Sequence, residues 1–348
     1  MSEQKHNNPE AVSVPPHRQL LEMAAGYRVS QIVYVAAKLA LADHLADGPK
    51  SAAELAPLTN THPKSLYRLL RILASLDIVS AEADQRFTLT ALGEALKSDA
   101  PGLARPGIMS LVSQRSWRAW EALPQVIETG QTGMEIAWGM PLFEYLTQHP
   151  EEAGYFSAIM ANQHSSEQIA VAAAYDFSAL ATIVDIGGAT GNFLAEILTR
   201  YPGPHGVLFD LPHVVQDAPP LIAKRGLTER ISIEAGSFFE RIPAGGDAYL
   251  ISDVIHDWSE DQCLTILENC HRVMKPDSKL LLVEVILPDD DRQYQHPGWL
   301  KDFIMLVLTG GEERTAAEYG ALLEKGGFRM LRVVPTESPV SIIEAVPA

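Results

Sequence analysis

The stretch Ile183-Val184-Asp185-Ile186-Gly187-Gly188-Ala189-Thr190-Gly191 constrains this chain more than any other. A short apolar run ends on an acid and a glycine-rich turn, and Asn192-Phe193-Leu194-Ala195-Glu196-Ile197-Leu198 then resumes at helical spacing. Strand, tight turn and helix in that order form the opening βα unit of a nucleotide-binding parallel sheet. Asp210 closes the next apolar run, Gly206-Val207-Leu208-Phe209. An acid at a second strand end can accept both hydroxyls of a ribose.

The glycine spacing sorts the possible ligands. A dinucleotide turn is built as G-x-G-x-x-G, because its second glycine lets the backbone approach a pyrophosphate. Here Ala189 stands where that second glycine would fall. The turn suits S-adenosylmethionine, which carries no phosphate and offers an ammonium and a carboxylate to backbone groups. A dinucleotide site and a purely structural turn are the competing readings.

Around this unit, strands and helices alternate: 182–187, 206–210, 230–235, 247–252 and 279–287 read as strands, with Phe328–Pro335 and Ser341–Ala345 closing the chain as an antiparallel pair. The expected fold is α/β, a doubly wound Rossmann-like domain at the C-terminal end. The N-terminal part is mainly helical. Residues 1–17 read as a mobile tail and Leu20–Leu45 as a helical run. Ser51-Ala52-Ala53-Glu54 is a capping box, and Asn60 or Thr61 opens a helix with Leu66, Leu69, Leu70 and Leu73 on one face. Ile78-Val79-Ser80 and Arg86-Phe87-Thr88-Leu89 read as two strands about a polar turn, completing a winged-helix arrangement. Trp117–Thr129 and Glu151–Tyr175 are further helices. The expected division is 18–100, a winged-helix-like dimerisation domain; 101–175, a helical linker and substrate-pocket segment; and 176–348, the cofactor-binding domain.

A winged helix suggests DNA, and Lys64, Arg68 and Arg71 fall on its candidate recognition helix. The net charge of −17 argues the other way, since a nucleic-acid binder needs a basic face to neutralise phosphates. The same charge disfavours an anionic membrane surface. No segment approaches the roughly 18 apolar residues of a membrane span, and the polar first residues lack a signal-peptide core. Cys263 and Cys270 fall in one helix; at about 1.5 Å per residue they sit roughly 10 Å apart, too far for a disulfide. No Cys/His spacing suggests a metal. A cytoplasmic location is expected.

The polar residues gather at the ends of the later strands, where ligands of such sheets bind. Ala248-Tyr249-Leu250-Ile251 runs into Ser252-Asp253-Val254-Ile255-His256-Asp257-Trp258, and Ser259 with Gln262 caps the helix that follows. His256 thus falls in the crevice between strand end and helix start, or is a helix-entry histidine beside Asp257. Glu284 is a lone acid within Leu280–Val285; a buried acid needs a partner, and His256 is available. Gly310-Gly311-Glu312-Glu313-Arg314-Thr315 precedes a helix opened by Thr315-x-x-Glu318, and its two glycines let the loop fold close to the cleft.

Val184-Asp185-Ile186-Gly187-Gly188, Phe209-Asp210-Leu211-Pro212, His256-Asp257-Trp258 and Gly310–Thr315, in this order, resemble the plant caffeate/acetylserotonin-type O-methyltransferases and their bacterial natural-product relatives. The resemblance covers nearly the whole chain. It implies a homodimer, no metal, and S-adenosyl-L-methionine as cofactor. It makes His256 the general base, flanked by Glu284 and Glu313. It assigns the cofactor to Asp185, Gly187, Gly188, Asp210, Leu211, Ser237, Phe238, Ser252 and Trp258. Two positions depart from the plant pattern: Ser237 stands for an acid before Phe238, and Ser252 for a lysine four residues before the histidine. Both alter the adenine contact, and neither touches the base.

The implied reaction is methyl transfer to a hydroxyl of an aromatic or polyketide-like small molecule. Met109, Trp117, Phe143, Tyr155, Met160, Asp257, Trp299, Phe303 and Met305 are the candidate substrate contacts, nearly all apolar and suited to a flat ring. Lys301 and Asp302 either lie at the pocket mouth or form a solvated helix face. The alternatives are a relative performing hydroxylation or decarboxylation with the same cofactor, a metabolite-sensing winged-helix regulator, and a nicotinamide-dependent dehydrogenase.

Overall fold

The computed structural model describes residues 14–290 and 295–348, and for 161–165 the backbone only. The chain divides into two compact units, with the division between Ser113 and Gln114. No described helix is long and apolar enough to cross a membrane.

In the first unit the helical run expected over 20–45 is three helices, Pro16–Ala25, Tyr27–Lys38 and Leu41–Leu45. The first begins inside the expected tail, of which residues 1–13 lie outside the described residues. Ala40, at φ +49°, separates the last two. Strand β1 (Lys50–Ser51) leads into helix Ala52–Thr59, whose capping box forms as expected. Asn60 ends this helix in the left-handed conformation, so the next one starts at Pro63 rather than at Asn60 or Thr61. That position suits proline, whose missing N–H falls among donors a helix start leaves unpaired anyway. Strands β2 (Val79–Ala81) and β3 (Arg86–Leu89) pair antiparallel, in the order β1-β3-β2. Leu41, Leu45, Leu55, Leu66, Leu70, Leu73 and Phe87 form the core of this unit, while Lys64, Arg68 and Arg71 are exposed.

The second unit opens with short helices. The helix expected over 117–129 is two, Gln114–Glu121 and Leu123–Thr129, with Pro124 at the start of the second. After the long helix Pro150–Ala174 come β4 (Thr182–Ile186), β5 (His205–Asp210), β6 (Ile231–Ala235), β7 (Ala248–Ser252), β8 (Lys279–Leu287), the short β9 (Arg314–Thr315), β10 (Phe328–Pro335) and β11 (Val340–Pro347). The main order is β10-β11-β8-β7-β4-β5-β6, with β9 beside β8. β8, β7, β4, β5 and β6 run parallel, and β11 is antiparallel to both β8 and β10.

The parallel strands are apolar on both faces because helices cover both. Their two-residue period sorts the side chains. Ile183, Leu208, Leu250, Leu281 and Val283 join one core with Leu194, Ile197 and Leu198. Val184, Ile186, Phe209, Tyr249, Ile251, Leu280 and Leu282 join another with Ile266 and Leu267. Strand order reverses at β4, between β5 and β7, so the carboxyl end of β4 lies at the switch point where such sheets bind ligands.

Candidate active site

Two groups of residues lie along the carboxyl edge of this sheet. The first is the turn after β4. Gly187 takes φ +72°, which disfavours any side chain, and a Cβ there would meet Val254 Cγ2 at 2.9 Å. A Cβ on Gly188 would lie 2.5 Å from Asp185 Oδ2. The bare turn therefore packs directly on the acid beneath it. Asp185 is buried and its Oδ2 has no hydrogen-bond partner among the described residues. Burial, with the neighbouring Asp210 charge adding to it, pushes its carboxyl up to about 7.

Asp210 ends β5 half-buried. Its Oδ2 accepts the Ala189 N–H at 2.8 Å and its Oδ1 the Leu211 N–H at 2.6 Å. One side chain thus ties the first turn to the second strand end. Burial raises this carboxyl too, against the pull of those two N–H groups.

Further along the edge, Ser237 Oγ accepts the Phe239 N–H. The Phe238 carbonyl accepts from Asn269 Nδ2 at 2.9 Å, so the helix Glu260–Val273 holds this loop. Phe238 and Phe239 both meet Trp258 edge-on, at 5.9 and 4.8 Å between ring centroids.

The second group centres on His256, in the tight turn Ile255–Asp257. Its side chain is 7% exposed. Glu284 Oε1 accepts the Val254 and Ile255 N–H groups, at 3.2 and 2.8 Å. Its Oε2 lies 2.6 Å from His256 Nδ1. A carboxylate only accepts, so this network assigns the Nδ1 proton to the histidine. Nε2 has no hydrogen-bond partner among the described residues; Asp257 Oδ1 is 3.8 Å away. The lone acid of β8 and the turn histidine are thus brought together as the sequence suggested.

Glu313 approaches from the loop before β9, its Oε1 3.6 Å from His256 Nδ1. That approach depends on Gly311, where a Cβ would collide with the backbone of His256, Asp257 and Trp258. Burial pushes the Glu313 carboxyl up to about 7, with the His256 and Lys301 charges opposing the rise. Burial also raises Asp257, to about 6. For His256 burial acts downward, but the Glu284 and Asp257 charges and the short Glu284 hydrogen bond outweigh it and carry the imidazole up to about 10.

Lys301 and Asp302, for which the sequence leaves two readings open, both join this site. Lys301 Nζ stands 3.2 Å from both Asp253 Oδ1 and Glu313 Oε1, so it is an ion-paired cation and not part of a solvated helix face. Asp302 is likewise engaged, accepting the Glu313 N–H at 3.0 Å. The signal was available: these are the only charges in the otherwise apolar helix Gly298–Leu308, and charges on such a surface require partners. Ser252 donates to Asp253 Oδ2.

The proposed pocket residues fare unevenly. Phe143 stacks on Trp258 at 5.3 Å. Phe143 and Phe303 pack against one cluster with Ala119, Met134, Leu142 and Val307, which Trp120 and Trp138 also join. Met305 is buried on the helix that carries Phe303. Trp117 is exposed, and Tyr155 donates to Glu151 on its own helix. Met109 is buried in the first unit.

An O-methyltransferase domain model matches residues 120–329, spanning both groups, and an O-methyltransferase dimerisation domain model matches 21–99. The chain belongs to the O-methyltransferase family. It is 40% identical to a phenazine O-methyltransferase of Lysobacter antibioticus, over 98% of this chain and 99% of the relative. It is 37% identical to the O-demethylpuromycin-O-methyltransferase of Streptomyces alboniger, over 99% and 93%. Among solved structures it resembles an O-methyltransferase from neocarzinostatin biosynthesis, in complex with S-adenosylmethionine and 2-hydroxy-5-methyl naphthoic acid. The TM-score is 0.84 at 31% identity, covering 97% of this chain and all of that one. In this O-methyltransferase the histidine cluster and the glycine turn therefore stand on one family scaffold.

Proposed function

We propose that this enzyme transfers the methyl group of S-adenosyl-L-methionine to a hydroxyl of a flat aromatic or polyketide-like molecule, with His256 as the general base. The observation that carries the reading is the His256–Glu284 pair: one imidazole nitrogen is fixed at 2.6 Å, and the other has no hydrogen-bond partner among the described residues.

The turn and the second strand end fit the cofactor. Asp185 has an unsatisfied buried oxygen, Gly187 and Gly188 expose bare backbone, and Asp210 presents a carboxylate beside them. In this reading Asp185, Gly187 and Gly188 face the methionine end, Asp210 and Leu211 hold the ribose, and Ser237, Phe238, Ser252 and Trp258 bound the adenine. When bound, the cofactor supplies a methyl group on a cationic sulfur, electrophilic enough to need no metal.

The chain's own residues then position the acceptor and take its proton. Nε2 accepts the hydroxyl proton as the oxygen attacks, while Glu284 keeps the ring oriented and stabilises the imidazolium, with Glu313 beside it. An ordinary phenol and this imidazole both titrate near 10, so the transfer is close to balanced. General-base help of this kind is worth about 10²–10⁴-fold, and alignment of the reacting atoms roughly 7–11 kcal/mol.

Phe143, Phe303 and Met305 would face the acceptor ring, with Trp117, Tyr155, Met160, Asp257 and Trp299 as outer contacts. The division of labour proposed is dimerisation by 18–100, pocket-building by 101–175 and cofactor binding by 176–348. A homodimer is supported by the match to a dimerisation domain. It is also supported by the helix Pro16–Ala25, which buries nothing of its own and exposes Leu20 and Leu21 at 67% and Met23 at 77%. The two free, buried cysteines suit a reducing, cytoplasmic setting.

Incubation with methyl-labelled S-adenosylmethionine and a panel of phenolic natural products tests the reading. A product heavier than its acceptor by one methyl is expected. Oxygen added, or carbon dioxide lost, would overturn it.

A further inference from the structure

Lys301 is half-buried among acids, its side chain 29% exposed. Its ammonium bridges Asp253 Oδ1 and Glu313 Oε1 at 3.2 Å each, and the same Glu313 oxygen lies 3.6 Å from His256 Nδ1. Both flanking acids are held in place for this. Asp253 adopts φ +50°, a left-handed conformation that aspartate tolerates better than most residues, and Ser252 donates to its other oxygen. Glu313 is tied to the helix of Lys301 a second time, through its N–H to Asp302 Oδ1. Neither carboxylate oxygen of Glu313 has a well-formed hydrogen bond among the described residues, so the ammonium is its principal partner.

We propose that Lys301 is a positioning residue that acts through Glu313: its ammonium, anchored by Asp253, holds that carboxylate against the imidazole of His256. The charges around the imidazole show why a cation is required. Asp253 and Asp257 come from the turn, Glu284 from β8, and Glu313 and Asp302 from the loop and helix beside it. Arg314, on the far side of the loop, is paired with Glu312, and Tyr319 and Cys263 lie behind the cluster as neutral groups. Without Lys301, Glu313 would be a buried carboxylate among other carboxylates, and taking up a proton would be its cheapest relief. It would then no longer offer the imidazole a negative charge.

The inference rests on the reading of His256 as the base, but its test is made on the full chain alone, without cofactor or acceptor. Protein carrying ¹³Cε1-labelled histidine is followed by NMR from mildly acidic to mildly alkaline pH, and the His256 signal is identified as the one missing from His256→Gln. Loss of the Glu313 proton should move that signal in a step near pH 7, where burial places the carboxyl. Lys301→Met should move the step upward by about one pH unit or more, the size expected for removing an opposite charge at contact. Lys301→Arg should leave it within about 0.3 unit. Lys301→Gln, which also removes the ammonium but keeps a polar side chain, should move it upward too, and it keeps the test decisive if Lys301→Met fails to fold. A step unmoved by Lys301→Met and by Lys301→Gln, or no step in the parent, overturns the inference. Either outcome leaves methyl transfer itself to be decided by the labelling experiment.

Discussion

The two groups along the sheet edge are built on opposite principles. The glycine turn and Asp210 are mostly main chain, and their side chains are few and close to one another in sequence. The histidine cluster is mostly side chain, gathered from a turn, a central strand, a helix and a loop. In the first, specificity comes from what is missing: no Cβ at Gly187 or Gly188 and an unpartnered oxygen on Asp185. In the second it comes from crowding, with acids stacked around one imidazole and one ammonium. The lesson is that binding and proton transfer are separable here, and substitutions should divide accordingly.

The sharpest division is expected from His256→Gln, which should lower turnover by about 10²–10⁴-fold and leave cofactor affinity nearly intact. Steady-state rates and calorimetry on the same preparation check it; activity within about tenfold of the parent would remove the base role. The pH profile sharpens the point. Because the imidazole is raised to about 10, the fraction free to accept a proton grows as pH rises from neutrality, so kcat/KM of the parent should climb over that range. His256→Gln should lose the part of the climb that belongs to the imidazole.

Asp210→Ala should do the reverse. Losing charge-assisted hydrogen bonds at about 1.5–3 kcal/mol corresponds to roughly 10- to 150-fold weaker cofactor binding. Unchanged affinity by calorimetry would mean that the ribose sits elsewhere.

Gly311→Ala probes the crowded side through its backbone. The added methyl meets the main chain of the His256 turn, and overpacking of this kind costs about 1–3 kcal/mol. A lower melting temperature together with reduced turnover is expected; a variant that melts and reacts like the parent would show that the loop is free to retreat.

The last comparison, Asp185→Asn, is read in stability alone. The folded chain holds the Asp185 proton up to about 7, whereas an unfolded aspartate releases it near the ordinary value of 3.8. Between those values the folded state binds more protons, so this group's contribution is fully present below 3.8 and is lost as pH rises through about 7. Asparagine removes that slope. The melting temperature of the variant should therefore gain on the parent as pH is raised from 5 to 8, and parallel curves would contradict the burial argument.

How much of this was legible in the sequence follows the same contrast. The turn after β4 could be read directly, because a strand, two glycines and a helix start are local signals. So could the capping boxes at Ser51, Ser259 and Thr315, each of which forms. The His256–Glu284 contact was legible only as a buried acid in need of a partner. For Lys301 the sequence left the pocket mouth and a solvated face both open, since one residue in a helix does not reveal which acids its neighbouring loop will bring. Helix breaks were misplaced where a single left-handed residue, Ala40 or Asn60, overrode continuous apolar periodicity. The aromatic residues of 114–174 could be named but not sorted. Phe143 reaches Trp258 and Tyr155 turns to Glu151, a difference set by helix phase rather than by residue type.

The position of β11 has a consequence for how the protein is made. It lies between β10 and β8, and Ser341 pairs opposite Glu284, the residue that fixes the histidine. A nascent chain that has not yet released Val340–Pro347 from the ribosome leaves one side of β8 as an open, apolar edge, a template for wrong pairing. The strand that carries the proton-handling acid is thus sealed only once Val340–Pro347 has emerged, so a stop upstream of Val340 should yield aggregate rather than a weakened enzyme.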